Sequence, residues 1–325
     1  MTQETTETTV VNNDKGLFIM KGANEWLEIA SKLERPQKLF GNFWKKGEVA
    51  ILFSGTGQGK SILSVQIADS ISRGEPILGL ELEAEKQPVL YFDLEVSEIQ
   101  FKERNSNKDG EAYKFDDNFI RAVFDREHDE ADDFQYYSFI IQSMEKLLIT
   151  SKAKIAIIDN LTYFNGDVEK AKDASKFIKD ILFLSKKYGV SILCVSHTPK
   201  RDESRPIEVN DLSGSKMISN LVDSVFAIGA SQKDSSIRYI KHIKCRSSEM
   251  LYDSENVLVC QIQKEQSKLE FKFNEFDYEY EHLKEIDKQT RLAEVKKLKT
   301  EGKNNVEIGR LFGVTEGAVR AWLKE

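Results

Sequence analysis

Between Val49 and Ile71 the chain passes from an apolar segment, Val49–Phe53, through Ser54-Gly55-Thr56-Gly57-Gln58-Gly59-Lys60-Ser61 into a stretch carrying Leu63, Ile67 and Ile71 at helical spacing. A strand that ends in a glycine-rich turn and runs straight into a helix leaves few folds open. The glycines let consecutive backbone N–H groups converge on one anion, and the helix N-terminus adds its partial positive charge. Within this phosphate-binding loop, Lys60 would neutralise the β- and γ-phosphates of a nucleotide and the Ser61 hydroxyl would ligate Mg²⁺. Ser54 stands where the strict pattern has glycine, a small residue that still fits.

Beyond the loop, apolar runs and helical periods alternate. Strands are expected at Val89–Leu94, Ile155–Ile158 and Val190–Val195. Helices are expected at Ser97–Arg104, Phe134–Leu148 and Val168–Tyr188, the last with Phe177, Ile178, Ile181 and Leu182 inward and a stop at Gly189. The polar stretch from Asn105 to Asp133 gives no clear period. After Ser224 the texture changes to successive strands, Val225–Ile228, Ile237–Cys245, Val257–Ile262 and Leu269–Phe273, the last two joined as a hairpin. This pattern predicts an α/β fold with a mostly parallel central sheet, helices on both faces and an antiparallel extension.

Two further segments carry chemistry in that frame. Ile155-Ala156-Ile157-Ile158-Asp159 reads as a buried strand ending in an acid at the sheet edge where ligands bind, so Asp159 would hold Mg²⁺ beside Ser61, directly or through water. Phe92-Asp93-Leu94-Glu95 ends another strand, and Glu95 is the candidate base that orients or deprotonates water. Two other assignments stay open: Glu95 as a first-turn carboxylate complementing a helix dipole, and Asp93 as the catalytic acid–base group.

These residues resemble the RecA/DnaB-like P-loop ATPase superfamily, and within it the RepA-type helicase-like ATPases of plasmids and mobile elements. The resemblance covers Leu39 to Phe273. It implies ATP as the nucleotide and a catalytic glutamate at Glu95. In Cys194-Val195-Ser196-His197-Thr198 it implies that His197 is a γ-phosphate sensor, where a capping or core imidazole is the plain alternative. Asp211-Leu212-Ser213-Gly214-Ser215-Lys216 is similar to the turn that follows a mobile loop in relatives. That loop, Lys200–Asn210, corresponds to their DNA-contacting loop and mixes Lys200, Arg201 and Arg205 with Asp202, Glu203 and Glu208. Lys244-Cys245-Arg246 resembles the finger with which one subunit reaches a neighbour's ATP, Lys244 touching nucleotide and Arg246 stabilising transferring charge. A solvent-exposed basic pair is the alternative there. The finger implies a homo-oligomer, a ring or filament.

Residues 285–325 form a separate pattern of three short helices: Leu292, Val295 and Leu298 on the first, Val306–Phe312 on the second with Asn305 as N-cap, and a third opening after Thr315 and carrying Val319 and Trp322. Gly309 is small where helices cross and Gly313 makes the turn. The segment resembles the helix-turn-helix of resolvases and phage regulators. The third helix would read duplex DNA with Thr315, Arg320 and Lys324, and Arg310 would sit on phosphate. A three-helix bundle docking on protein is the competing reading.

Charge distribution agrees with a local polyanion site: ten Lys/Arg against seven Asp/Glu from Lys284 onward, in a chain of net charge −7. No apolar run approaches the ~18–20 residues of a membrane span, and a cytoplasmic protein is expected. Cys194, Cys245 and Cys260 lack metal-ligand spacing and receive no role. The expected organisation is a disordered tail at 1–15, an ATPase domain at 16–280 and the helical module at 285–325. The function expected is ATP hydrolysis acting on DNA in a mobile element, with single strands held by the ATPase loops. A nucleotide-switched DNA-binding regulator and a signalling ATPase with no DNA role are the alternatives.

Overall fold

The structure, a computed structural model, describes residues 18–125, 133–161, 170–212, 215–284 and 288–324. The expected tail at 1–15, the helix start at Val168 and the Ser213-Gly214 turn lie outside the described residues. Of the described residues, those up to Pro36 form one compact unit and those from Gln37 onward the other. The first holds α1 (Ala23–Ser31), none of whose residues is buried. Trp26 on this helix is 43 % exposed.

In the second unit a short ribbon, β1 (Lys38–Phe40) and β2 (Trp44–Lys45), precedes β3 (Val49–Ser54) and α2 (Lys60–Arg73). There follow β4 (Val89–Asp93), α3 (Glu98–Arg104), β5 (Phe119–Val123), α4 (Asp133–Ser151), β6 (Ile155–Asp159), α5 (Lys170–Tyr188), β7 (Ser191–His197) and α6 (Ser215–Leu221). Then come β8 (Ser224–Ala230), β9 (Ile237–Cys245), β10 (Val257–Glu265) and β11 (Lys268–Asp277). Nine strands make one sheet in the order β11-β10-β9-β8-β3-β7-β6-β4-β5. From β8 to β5 neighbours run parallel, and β9, β10 and β11 add the antiparallel extension.

Both faces of the parallel part are covered, so its strands carry no polar alternation. Along β3, Val49, Ile51 and Phe53 enter one core while Ala50 and Leu52 enter the other. α4 and α5 close the first core with Ile140, Met144 and Leu148 and with Phe177, Ile178, Ile181 and Leu184. Leu184, three residues past Ile181, completes that face, and Leu182 on its flank is only partly buried. α2 closes the second core with Leu63, Ile67 and Ile71. The unassigned stretch after Asn105 contains β5, a half-buried edge strand paired parallel with β4.

The β10–β11 hairpin turns at Gln266, which has a positive φ of 52°, and lies against α2. There Gln66 donates to the Phe271 carbonyl at 2.9 Å and accepts from the Phe271 N–H at 2.9 Å. Lys268 Nζ meets the Asp69 carboxylate at 2.5 Å.

The C-terminal helices are α7 (Lys288–Thr300), α8 (Asn305–Phe312) and α9 (Glu316–Trp322). They share a core of Val295, Ile308, Phe312, Val319 and Trp322. The N-cap of α8 is Asn304, not Asn305, because Glu307 then sits three residues on and closes a capping box: Asn304 Oδ1 accepts from the Glu307 N–H at 2.9 Å, and Glu307 accepts from the Asn304 N–H at 2.8 Å. Gly309 is dictated by the crossing, since a Cβ there would stand 2.6 Å from the Val314 carbonyl oxygen. These helices belong to the same compact unit as the sheet. Among the described residues no helix is long and apolar enough to cross a membrane.

Candidate nucleotide site

Parallel strands put their C-terminal ends on one edge, and there the chemistry-bearing residues meet. β3 delivers the phosphate loop, β4 ends at Asp93 with Glu95 just beyond, β6 ends at Asp159, and β7 ends at His197. Register fixes their neighbours: Ser54 is level with His197, and Asp93 with Asp159.

Gly59 caps α2 with φ 95°. A Cβ there would also stand 2.8 Å from Ile262 Cδ1 and 2.9 Å from the Phe271 ring. The β10–β11 hairpin therefore covers the loop at the one point where the helix begins, a contact between segments some two hundred residues apart. Lys60 Nζ uses its three donors locally, on the Ser54 carbonyl at 3.1 Å, the Gly55 carbonyl at 3.0 Å and His197 Nδ1 at 3.2 Å. Burial lowers the Lys60 pKa, and the nearby Asp159 and Glu95 oppose that effect.

Asp159 has no solvent exposure. Its Oδ2 accepts from the Tyr91 hydroxyl at 2.7 Å, which in turn meets Ser64 Oγ at 2.9 Å. Its Oδ1 has no hydrogen-bond partner. Burial raises the Asp159 pKa, while Tyr91 and the adjacent Ser61 hydroxyl favour the ionised form. A buried carboxylate oxygen without a donor, beside a hydroxyl and an ammonium, is the arrangement a hard cation completes. Among the described residues no cluster of three or more His, Cys, Asp or Glu could hold a metal by itself. The residues therefore suit Mg²⁺ held by Ser61 and Asp159 together with phosphate oxygens and water, not a caged metal.

Asp93 and Glu95 separate cleanly. Asp93 is buried and fully engaged: Oδ1 accepts from the Val96 N–H at 2.9 Å and Oδ2 from Arg121 Nε at 2.8 Å. It shapes the turn. Glu95 is half exposed, takes a hydrogen bond from the Asn160 amide and lies 3.7 Å from His197 Nε2. The His197 contact, more than any other, holds its carboxyl below the usual range, with Lys60 adding to the effect. The Lys60 ammonium donates to His197 Nδ1, and Nε2 on the other side of the ring lies 3.1 Å from the Asn160 amide nitrogen and 3.7 Å from the Glu95 carboxylate.

Three supporting residues escaped the sequence reading: Tyr91, Asn160 and Arg121. Asn160 follows Asp159 directly and so was the one within reach of a local signal.

Lys244 and Arg246 lie elsewhere. β9 runs antiparallel to β8 and pairs Cys245 with Ser224, the first residue of β8. The pair therefore stands at the opposite edge of the sheet from its own phosphate loop. Lys244 donates to the Ser219 and Val222 carbonyls and Arg246 to those of Asn220 and Leu221, capping the end of α6. On the helical module Arg310, Thr315, Arg320 and Lys324 are exposed. Arg320 also pairs with Glu316 at 2.7 Å.

No curated protein gives a significant match to the chain. The AAA domain family matches residues 22–203, from the first helix through the phosphate loop, Glu95 and Asp159 to just past His197. With a match over more than half its length, the chain belongs to the AAA-domain family of P-loop nucleotide-binding ATPases.

Proposed function

We propose that the chain hydrolyses ATP at this edge and couples turnover to DNA. The observation that carries the hydrolysis reading is the buried, unpartnered Asp159 Oδ1 beside Ser61, one strand away from an ionised Glu95 held by Asn160 and His197. The phosphate chain takes the loop N–H groups and the Lys60 ammonium. Mg²⁺ on Ser61 and Asp159 would neutralise charge on the phosphate oxygens. Glu95 accepts the proton of the attacking water, and Asn160 fixes its carboxylate. His197, bridging Lys60 and Glu95, is placed to feel the γ-phosphate. Arg246 and Lys244 serve a neighbouring copy's nucleotide, which makes a ring or filament the active form.

The helical module supports duplex binding as a helix-turn-helix: α8, a tight turn at Gly313 and α9 with Thr315, Arg320 and Lys324 exposed. Single strands would follow the Lys200–Asn210 loop, as in an ATP-driven replication or mobilisation enzyme of a mobile element. One observation favours the second reading, a nucleotide-switched duplex-binding regulator. In that loop Arg201 pairs with Asp211 and Arg205 with Asp202 and Glu294, which weakens its hold on phosphate. Phosphate release measured with and without single-stranded and duplex DNA, with Lys60→Ala as blank, separates the readings. Stimulation by single strands supports the helicase-like enzyme. Site-dependent response to duplex alone supports the regulator, and turnover indifferent to DNA removes both DNA roles.

A further inference from the structure

We infer that the segment Thr198–Pro206 is a clasp through which the phosphate site controls how firmly the C-terminal three-helix module is seated. The inference rests on the nucleotide-binding reading of the phosphate loop and adds a regulatory link to it.

The segment begins where His197 ends β7, and its first N–H, that of Thr198, donates to the Ser54 carbonyl at 3.0 Å. Arg201 and Glu203 then form a wall of the cavity that holds Ser54, Gly55 and Gln58. The same few residues are also the seat of the helical module. Arg205 bonds Glu294 of α7, and Glu203 accepts at its carbonyl from the Lys284 N–H at 3.1 Å, just before the module begins. Pro206 lies under Gly313, the turn between α8 and α9. A second cavity of about 230 Å³ separates segment and module, with Arg201, Asp202 and Pro206 on one side and Leu298, Leu311 and Phe312 on the other.

The far end of the segment is fixed. The Ile207 N–H donates to buried Glu279 at 2.7 Å, and the Ile207 carbonyl accepts from Lys241 at 2.8 Å. The near end meets the phosphate site at two points, the Thr198 N–H on the Ser54 carbonyl and the His197 imidazole on Lys60. All three donors of that ammonium are engaged, one of them on His197, so a phosphate chain that takes Lys60 must take it from these partners. When Lys60 leaves both the His197 imidazole and the Ser54 carbonyl that also holds the Thr198 N–H, the Thr198 side of the segment shifts, while Ile207 stays. The contacts of Glu203 and Arg205 are on the moving side. Loosening them lifts Pro206 from Gly313 as well, leaving Tyr280 packed on Trp322 as the tether, and the module gains freedom to engage a partner. Two alternative partners for one ammonium supply the discrete switch that coupling between separate sites requires.

Linkage gives a test that runs in reverse: if nucleotide loosens the seat, locking the seat must weaken nucleotide binding by the same factor. A Cβ on Gly313 would lie 3.8 Å from the Pro206 Cβ, the separation of a disulfide's two Cβ atoms at about 3.8 Å. Pro206→Cys with Gly313→Cys, in a Cys245→Ser background, therefore places a lock at the seat. Cys194 and Cys260 stay inert, their thiols pushed up to about 12 by burial. Fluorescent ATP binding is measured on the full chain after oxidation with glutathione disulfide and again after reduction. We expect the oxidised form to bind about fivefold more weakly, a coupling at the low end of those known. Equal affinities overturn the clasp while leaving the nucleotide site intact. Absence of binding by the unaltered chain overturns the nucleotide site and the clasp with it. Because Cys at the left-handed Gly313 position strains the turn, amide exchange of the unaltered chain is the companion measurement. Faster exchange of residues 288–322 with Mg-ATP than without supports the clasp, and unchanged exchange alongside proven binding overturns it.

Discussion

Asp159→Asn separates what the site needs from what the fold prefers. The Asp159 side chain is fully buried, with one oxygen bonded to Tyr91 and the other unpartnered. An unsatisfied buried acceptor costs about 1–3 kcal/mol, more when it is charged. The amide is nearly isosteric, keeps an oxygen for the Tyr91 hydroxyl and offers a donor toward Ser61 without burying charge. The variant should gain about 1–2 kcal/mol, which for a chain of this size is roughly 2–6 °C in Tm. Its pH dependence has a definite sign. The folded-state pKa of Asp159 is raised by burial, so the wild-type penalty is fully present above that pKa. It shrinks as pH falls through it and is gone below the ordinary carboxylate value. The Tm difference between variant and wild type should therefore narrow on acidification. Differential scanning calorimetry across pH, beside Mg²⁺-dependent ATP turnover, reads both effects. Loss of turnover with a raised Tm is the expected pair. A lowered Tm, or turnover retained, refutes the reading of Asp159 as a metal-side carboxylate held at a stability cost.

Glu95→Gln should lower kcat about 10²–10⁴-fold with nucleotide affinity little changed, as measured by single-turnover hydrolysis against equilibrium binding. Since the His197 contact is the main cause of the depressed Glu95 pKa, His197→Ala should move the acid limb of kcat/KM to higher pH; a limb that stays put assigns it to another group. Glu279→Gln removes one partner of the buried Lys241 pair at 2.5 Å and should cost about 3–5 kcal/mol in urea unfolding. Gly309→Ala, whose new methyl would press on the Val314 carbonyl, should destabilise the helical module by about 1–3 kcal/mol, seen as faster amide exchange at 288–322 with nucleotide binding unaltered.

Those effects also mark where local sequence stops informing. The phosphate loop is contiguous, so its strand, glycines and helix could be read together, and Asp159 follows because an apolar run ending in an acid places it at the sheet edge, whereas His197 was singled out by the family resemblance. Tyr91 could not be assigned, because what makes it functional is a bond to a residue 68 positions away across β4 and β6. Arg121 was hidden for a different reason. It sits on β5, an edge strand half open to solvent, whose mixed composition gives neither period. The hairpin over Gly59 was expected as a hairpin, but its place against α2 depends on Gln66 satisfying the Phe271 backbone, and no pattern in the chain announces that match.

The polarity of β9 bears on assembly. Because β9 runs opposite to β8, Lys244 and Arg246 stand at the edge where β3 starts, the whole length of the sheet from the loop where β3 ends. No rotamer of Arg246 spans that distance, about 3.3 Å per residue of strand, so a part for it in phosphoryl transfer requires a second copy. Its contacts with the end of α6 fit a guanidinium held in place for such a role and equally fit a helix cap. Mixing distinguishes them. Lys60→Ala retains the arginine and lacks the loop lysine, and Arg246→Ala has the reverse. In a head-to-tail assembly of equal parts, about one quarter of interfaces pair an intact loop with an intact arginine. Turnover of the mixture should then rise to about that share of wild type, above either variant alone. A mixture no more active than the sum of its parts makes Arg246 a helix cap and nothing more.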